Sequence, residues 1–409
     1  MQQSLIKEEQ LAELSSVSFL VGDVSRFQNI NKISAKVPFD EKIIDFLNDL
    51  SKKIMADREA KLYPDVVTFG FWIRKSSIIR LKDRMVQTDG DIHQGRGVIF
   101  HIAPSNVPVN YAYSLVSGLV TGNINIVRLP SKDFPQVSIL NRAIIATLEE
   151  HQEMANYIYL VRYNRNQRVN DILSSIADVR VIWGGDSTVE EIRNSALPPR
   201  SGEVTFADRY SLAVIDADEY IALLDKSKFA DDFYNDTYLS DQNACTSPRV
   251  IVWLGEKKAE AKELFWSELH RLVKKKYTFQ SIMGVNKQTS AYIAAATLKG
   301  VKILPHEDNY LVRVEVAELN DDVMRLKDNS GFFYEYDCKD ILELKAICNN
   351  TRCQTIGFLG AKEKIMPLLL AGSRGVDRVV PIGQTMDFDL VWDGYNLYER
   401  FTRIINIVV

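Results

Sequence analysis

The sequence predicts an α/β protein with a doubly wound parallel sheet, followed by a second α/β domain. From about residue 96, short apolar runs alternate with segments of helical periodicity. Glycine and proline mark most of the changes between them. The chain of 409 residues is also longer than a single compact core usually allows. We therefore predict two domains.

The first elements predict a βαβ unit. GVIFHIA (97–103) is a continuous apolar run typical of a buried strand, and VNYAYSLVSGLVTG (109–122) has helical spacing and ends in glycine. NINIVRLP (123–130) predicts a second strand, which a proline ends. The alternation continues with a helix near 136–150, a strand at 157–163, a helix near 167–176, a strand at 179–183 and a helix from Ser187. This order predicts a parallel sheet with helices on both faces.

A second series of elements begins near residue 210. It comprises a strand at 211–218, a helical stretch to Leu239, a strand at 249–255 and a helix at 257–276. We place the domains at 1–210 and 211–374, with a tail from about 375 to 409 that returns to the first domain. The tail ends in the β-branched run RIINIVV. That run predicts an edge strand that either returns to a sheet or pairs across the interface of a homo-oligomer.

Composition and charge argue against several classes of protein. A net charge of −4 provides no basic field, so nucleic acid is not an expected partner. No apolar run reaches 18 residues, and the polar start MQQSLIKEEQ does not resemble a signal peptide, so we expect a cytoplasmic protein without a transmembrane segment. The cysteines have no C-x2-C spacing and no nearby histidine, so no metal site is predicted.

Two loops that follow predicted strands are candidate ligand sites. In HIAPSNVPVN (101–110), two prolines fix the course of the chain around Asn106, whose amide could serve as an oxyanion donor or could cap the next helix. His101 in the same segment is expected to be a hydrogen-bonded core histidine. In WGGDSTVEEIR (183–193), two glycines precede S-x-x-E. This pattern suits either a bound phosphate group or a tight turn with a capping box at Ser187.

Cys245 is the candidate nucleophile. It lies in LSDQNACTSPRVIVWLGE (239–256), between small and polar residues and just before a predicted strand. A cysteine is often only a small core residue. At such a turn it can instead be a nucleophile held clear of its neighbours. Cys338, Cys348 and Cys353 are expected to be structural thiols.

These segments, in this order, resemble the aldehyde dehydrogenase superfamily. APSNVP followed by a helix and GNINIVRLPSKDFP resembles its P-W-N-F-P and K-P-S-E region, and QNACTSPRVIV stands where the superfamily has its nucleophilic cysteine. HIAPSNVP, WGGD, FADRYS, DQNACTSPR, RCQTIG and GVDRVVPIG are similar to the acyl-CoA reductases of the bacterial bioluminescence operon. This resemblance covers about residues 95 to 400.

The resemblance implies an aldehyde-dehydrogenase-like fold and an NADPH-dependent acyl-CoA reductase. Cys245 would accept the acyl group, and Asn106 with the Cys245 backbone N–H would form the oxyanion hole. Arg128 and Lys132 stand near the superfamily's ribose-binding segment, where Lys132 replaces a glutamate and favours NADPH. The predicted cofactor site comprises Ser105, Arg128, Lys132, Gly184, Gly185 and Ser187.

The sequence departs from the superfamily pattern in two places. RYNRNQRV (162–169) replaces a glycine-rich segment, and in RSGEVTFADRYS (200–211) only Glu203 stands near the water-activating glutamate. The loss of that base fits a reductase, because hydrolysis would waste an acyl-enzyme. The acyl donor would be acyl-CoA or an acyl-protein, with an acyl-activating synthetase as a partner. The alternatives are a non-redox cysteine acyltransferase or thioesterase, and a non-catalytic partner of an acyl-activating enzyme.

Overall fold

The computed structural model describes residues 8–86, 91–305 and 307–408. The strands are β1 Ser18–Val21, β2 Ile92–Gly95, β3 Val98–Ile102, β4 Ile124–Arg128, β5 Ile158–Arg162, β6 Val179–Trp183, β7 Gly202–Phe206, β8 Tyr210–Asp216, β9 Pro248–Leu254, β10 Lys302–Ile303, β11 Val312–Glu315, β12 Phe332–Asp337, β13 Cys353–Leu359, β14 Arg378–Pro381, β15 Val391–Trp392, β16 Tyr395–Asn396 and β17 Thr402–Ile405.

The helices cover both halves of the chain. They are α1 Glu8–Leu14, α2 Val24–Phe27, α3 Glu41–Ala56, α4 Pro64–Trp72, α5 Lys75–Met85, α6 Asn110–Val120, α7 Pro135–Glu150, α8 Gln167–Ser175, α9 Asp186–Arg193, α10 Ala217–Ala222, α11 Lys226–Asp236, α12 Lys258–Lys276, α13 Ser281–Thr297, α14 Asp321–Arg325, α15 Lys345–Cys348, α16 Lys362–Leu370 and α17 Leu397–Phe401. Among the residues that the structure describes, no helix is both long and apolar enough to cross a membrane.

The chain divides into two compact units. Unit 1 comprises Met1–Ala207 and Tyr395–Val409, and unit 2 comprises Asp208–Gly394. The first boundary agrees with the change expected near residue 210. The predicted return of the tail at about residue 375 is too early, because β14 pairs with β13 and keeps this segment in unit 2.

Unit 1 contains a six-stranded sheet in the order β1-β5-β4-β3-β6-β7. All neighbouring strands are parallel except β1, which runs antiparallel to β5. Every residue of β3 and β6 is buried, as expected for central strands covered on both faces. The strand order reverses at β3, whose neighbours are β4 and β6. In doubly wound sheets the crevice beyond this point is where ligands bind.

Unit 2 contains a seven-stranded sheet in the order β10-β11-β12-β9-β8-β13-β14. Only β10 runs antiparallel to its neighbour. The central strands β8 and β9 are buried along their full length. Buried apolar side chains pack on both faces of this sheet, which explains the continuous apolar runs in the sequence.

The elements predicted between residues 97 and 193 are confirmed in kind and in order. The helical stretch expected up to Leu239 is wrong in one respect. It is broken between α10 and α11, where Asp225 caps the second helix through the backbone N–H of Lys228. The tail strand β17 pairs antiparallel with β2, so the run RIINIVV does return to a strand of the chain. His306, expected in a loop, lies outside the described residues.

Candidate active site

A cavity of about 340 Å³ lies in unit 1 at the carboxyl ends of β3, β4 and β6. This is the predicted position, where the strand order reverses. Of the predicted site residues, the cavity brings together Ser105, Asn106, Arg128, Gly184 and Gly185. Lys132 and Ser187 are not among its lining residues.

The glycine pair allows a close backbone approach at the start of α9. A side chain built at Gly185 would meet no atom within 4 Å, so the space in front of this backbone is open. The predicted capping box is wrong, because α9 begins at Asp186 with Gly185 as its N-cap and no side-chain cap bond. Ser187 therefore lies inside the first turn. The backbone N–H groups at the start of a helix can receive an anionic group.

Cationic side chains complete the cavity. The Arg128 guanidinium lies 4.5 Å from the centre of the Tyr163 ring, and Arg165 also lines the space. Arg165 belongs to the segment RYNRNQRV (162–169), the first of the two departures from the superfamily pattern. The Lys132 ammonium is exposed and lies 4.9 Å from the centre of the Phe134 ring. Open backbone and two arginines fit a diphosphate-containing ligand.

Asn106 lies exposed on the loop between β3 and α6. The alternative that it caps the helix is wrong, because α6 begins at Asn110 and its N-cap is Val109, without a side-chain cap bond. Asn106 belongs to unit 1 and Cys245 to unit 2. Their joint role in an oxyanion hole therefore stays a prediction.

His101 is a hydrogen-bonded core residue, as expected. Its Nδ1 lies 2.7 Å from Ser114 Oγ and its Nε2 lies 3.0 Å from Asn125 Oδ1. Burial lowers the pKa of His101 to about 4, so the ring is neutral at pH 7. The imidazole supports the strand beneath the cavity.

Glu203, the residue nearest to the superfamily's water-activating glutamate, is held in ion pairs. Its carboxylate lies 2.5 Å from Arg180 NH2 and 2.7 Å from Arg193 Nε. Arg180 also donates to the backbone oxygens of Ile192 and Ser195. This network ties β6 and β7 to the end of α9. Both Glu203 carboxylate oxygens are therefore engaged by guanidinium groups.

Cys245 lies in unit 2, on the loop that enters β9 from its amino end. The residue is partly exposed, whereas Cys338, Cys348 and Cys353 are buried. Its carbonyl oxygen accepts a hydrogen bond of 2.8 Å from Ser211 Oγ, on the neighbouring strand β8. The structure therefore separates Cys245 from the three cysteines expected to be structural.

Burial is the main factor that opposes ionisation of the Cys245 thiol. Desolvation raises the pKa of the Cys245 thiol to about 11, and the Asp393 carboxylate acts in the same direction. The Arg209 guanidinium acts in the opposite direction. Arg209 is ion-paired with Asp377 and with Asp393. At pH 8 only about one thiol in a thousand would be ionised, so the nucleophile needs activation.

Sequence reasoning did not find the charged neighbours of Cys245. Arg209, Lys327 and Asp393 are far from Cys245 along the chain. Arg209 stands directly before β8 and Lys327 in the segment before β12, in the same sheet as β9, whereas Asp393 lies between the short strands β15 and β16. Arg209 stands in the segment FADRYS, which contributed to the family resemblance without a role assigned to it. A polar residue directly before a central strand was the only available signal.

The comparison with known families agrees with this geometry. The family described as acyl-CoA reductase (LuxC) matches residues 86–404, well over half of the chain. The chain belongs to the acyl-CoA reductase (LuxC) family. Long-chain acyl-protein thioester reductase of Vibrio harveyi is 23% identical over 326 residues, 76% of this chain and 64% of that protein. The Aliivibrio fischeri protein of the same name is 22% identical over 303 residues, 72% of this chain and 60% of that protein. Each match thus spans less than two thirds of the relative.

Solved structures show that this member of the family has an aldehyde-dehydrogenase-like fold. The 3,6-anhydro-L-galactose dehydrogenase structure matches with a TM-score of 0.63 at 13% identity, over 98% of this chain and 91% of that one. The NAD-dependent benzaldehyde dehydrogenase of Corynebacterium glutamicum matches with a TM-score of 0.61 at 13% identity, over 93% and 88%. At such identities the likeness describes the fold alone.

Proposed function

We propose that this chain reduces a fatty acyl thioester to an aldehyde through an acyl-enzyme on Cys245, with NADPH as the reductant. The observation that carries the proposal is the exposure of Cys245 compared with the other cysteines. In a chain of the acyl-CoA reductase family, Cys245 is the cysteine that is partly exposed and held on a hydrogen-bonded loop, while the other three are buried. The names of the curated relatives support an acyl thioester as the substrate.

The first half of the reaction is acyl transfer. The Cys245 thiolate attacks the carbonyl carbon of the acyl donor, a carbon–sulfur bond forms, and the tetrahedral oxyanion collapses with loss of the donor's thiolate. The Asn106 amide and the backbone N–H of Cys245 would stabilise the oxyanion. The donor is acyl-CoA or an acyl-protein, and an acyl-activating synthetase would supply the acyl-protein.

The second half is reduction. The nicotinamide cofactor, when bound, supplies a hydride to the acyl carbon. The thiohemiacetal on Cys245 then loses its carbon–sulfur bond, which releases the aldehyde and regenerates the thiolate. Ser105, Arg128, Gly184 and Gly185 line the cavity and would hold the phosphate groups and the ribose. Lys132 would favour the 2′-phosphate of NADPH by removing a negative charge and adding a positive one.

The ion pairs of Glu203 would protect the acyl-enzyme from hydrolysis. Glu203 is held by Arg180 and Arg193, so it is poorly suited to activate water against the thioester. This observation favours reduction over hydrolysis. The four cysteines are free thiols, in keeping with the reducing cytoplasm in which we propose the reaction occurs.

Intact-mass analysis tests the acyl-enzyme. Wild-type protein mixed with long-chain acyl-CoA should gain one acyl group, and Cys245→Ser should gain none, because a hydroxyl is a far weaker nucleophile than a thiolate. Cys348→Ser, at a buried thiol, is the matched control and should still be acylated. An adduct that survives on the Cys245→Ser variant would exclude Cys245 as the acyl site.

Cofactor consumption distinguishes the reductase from its alternatives. We expect NADPH oxidation that depends on the acyl donor and increases along a series of acyl-CoAs of increasing chain length. Acylation without any consumption of NADPH or NADH would favour a non-redox acyltransferase or thioesterase. A protein whose Cys245 reacts no faster than its buried thiols, and which takes up no acyl group, would be a non-catalytic partner.

A further inference from the structure

Arg249 is the second residue of β9 and lies four residues after Cys245. We propose that it is a positioning residue, whose guanidinium fixes the loop that carries Cys245 and whose charge stabilises the thiolate. The inference rests on the proposed function only in taking Cys245 as the nucleophile. It assigns a role to a side chain that does not need to touch the substrate.

The guanidinium joins two segments that are distant in sequence. Arg249 is 5% exposed. Its NH2 donates to the carbonyl oxygen of Gln242, on the Cys245 loop. Its NH1 donates to the carbonyl oxygen of Asp328 at 2.6 Å and to Asn329 Oδ1 at 2.5 Å. One planar group therefore fixes the loop against the segment before β12.

Further hydrogen bonds hold the same two segments in register. Gln242 Oε1 accepts from the backbone N–H groups of Gly331 at 2.7 Å and Phe332 at 3.2 Å. The Ser330 N–H donates to the Asp241 carbonyl oxygen at 3.1 Å. Asp241 and Gln242 both have left-handed backbone conformations, with φ of 52° and 55°. Such residues persist only where the surroundings enforce them, and these bonds supply that enforcement.

Arg249 differs from the other cations near the thiol in its hydrogen-bond partners. Within the described residues, its hydrogen bonds go to neutral carbonyl and amide oxygens. The nearby Asp328 carboxylate is instead bonded to Ser290 Oγ at 2.6 Å and to the N–H of Asn329 at 2.7 Å.

The remaining charged groups around Cys245 are paired with one another. Arg209 is paired with Asp377 and Asp393, and the Lys327 ammonium lies 3.5 Å from an Asp208 carboxylate oxygen. Burial lowers the pKa of Arg249 to about 10, and the charges of Asp208, Cys245 and Asp328 oppose that shift. Arg249 is thus still charged at pH 8 and interacts favourably with the thiolate.

Alkylation of Cys245 by iodoacetamide across pH 7 to 11, followed by mass spectrometry of its peptide, tests the proposal on the full chain. Arg249→Met removes both the bridge and the charge, and its rate constant at pH 8 should fall about tenfold, as for the loss of one nearby cation. Arg249→Lys keeps the charge but not the planar set of donors that holds the loop, so its rate constant should lie between those of wild type and Arg249→Met. Arg325→Met, at a 76% exposed arginine, is the matched control and should alkylate like wild type.

Asn329→Asp keeps the test decisive if Arg249→Met does not fold. The substitution is isosteric and preserves the acceptor at Asn329 Oδ1, but it sets a carboxylate against the guanidinium. We expect the same roughly tenfold fall in rate at pH 8 and a pH profile displaced to higher pH. An unchanged pH profile in folded Asn329→Asp would overturn the electrostatic role. A fall in Arg249→Lys as large as in Arg249→Met would overturn it as well.

The alkylation assay needs neither acyl donor nor cofactor, so it separates this inference from the proposed function. If the variants behave as expected but wild type takes no acyl group, the proposed function fails and the role of Arg249 stands. If wild type is acylated at Cys245 but the folded variants alkylate like wild type, the role of Arg249 fails alone.

Discussion

Replacement of Glu203 by glutamine should lower the stability of unit 1 without removing a catalytic base. The glutamine keeps the size of the side chain and one acceptor oxygen but loses its charge. Arg180 is 3% exposed and Glu203 16% exposed, so the substitution leaves a buried guanidinium without a counterion. Breaking such a buried pair costs about 3 kcal/mol or more. The pair with Arg193 is 55% exposed on the arginine side and adds less than about 1 kcal/mol.

Thermal unfolding followed by intrinsic fluorescence measures this loss. For a unit of this size, about 3 kcal/mol corresponds to a fall of roughly 6 to 12 °C in the unfolding midpoint. Acylation and reduction assayed well below that midpoint should remain within about threefold of wild type. Glu190→Gln, the same change at an exposed position on α9, is the control and should shift the midpoint by less than about 2 °C.

The opposite pattern would refute the reasoning. If Glu203→Gln unfolds like wild type but loses acyl turnover or hydrolysis, Glu203 acts as a proton acceptor and the ion pairs are not its main role. If Glu203→Gln is both unstable and inactive at every temperature, Arg180→Met distinguishes a structural from a catalytic role of Glu203. That change removes the buried cation but leaves the carboxylate, and only a catalytic glutamate would retain turnover there.

Three further predictions address other positions. Urea unfolding of wild type and His101→Phe at pH 7 and pH 5 tests the burial of the neutral imidazole. The difference between their unfolding free energies should become smaller by about 2 kcal/mol when the pH is lowered from 7 to 5. The reason is that the wild-type folded-state pKa of about 4 lies below the unfolded value of 6.5, so wild-type stability is lost as the pH falls through that window; parallel pH profiles would contradict this. Lys132→Glu should raise the KM for NADPH and leave that for NADH equal or lower, and an unmoved preference would show that the adenosine end binds elsewhere. Gly97→Ala should cost about 1 to 3 kcal/mol, because φ is +136° and the new carbon would lie 2.0 Å from an Asp178 carboxylate oxygen, whereas Gly202→Ala meets open space and should be nearly neutral.

The fold of unit 1 could be predicted from the sequence because its apolar runs coincide with strands that the folded sheet buries on both faces. The runs at 97–103 and 179–183 are apolar on both faces, and buried parallel strands require this. The break between α10 and α11 was missed, because Leu223 to Asp225 continue a helical spacing. The N-cap Asp225, directly before α11, is what marks the break. The return of the tail was misplaced because the pairing of β14 with β13 depends on tertiary context.

The candidate site was predictable where one segment carries it. Cys245 and the loop of Asn106 could be predicted because turn residues surround each of them and lie next to a predicted strand. The contacts that tune them come from distant segments. Arg249 was visible as part of a motif, but its hydrogen bonds to Asp328 and Asn329 depend on the pairing of β9 with β12. A single sequence carries no local signal for such contacts.

The sequence distance spanned by the loop's hydrogen bonds has a consequence for folding. Arg249 reaches a partner 79 residues away, and Gln242 one 90 residues away. Closing such long loops is entropically unfavourable and comes late when local elements form first. We expect the nucleophile to be assembled last, so that the growing chain carries an ordinary thiol until β12 docks. Pulsed alkylation during refolding should show Cys245 acquiring its native reactivity only after α12 is protected from hydrogen exchange, and the reverse order would disprove late assembly.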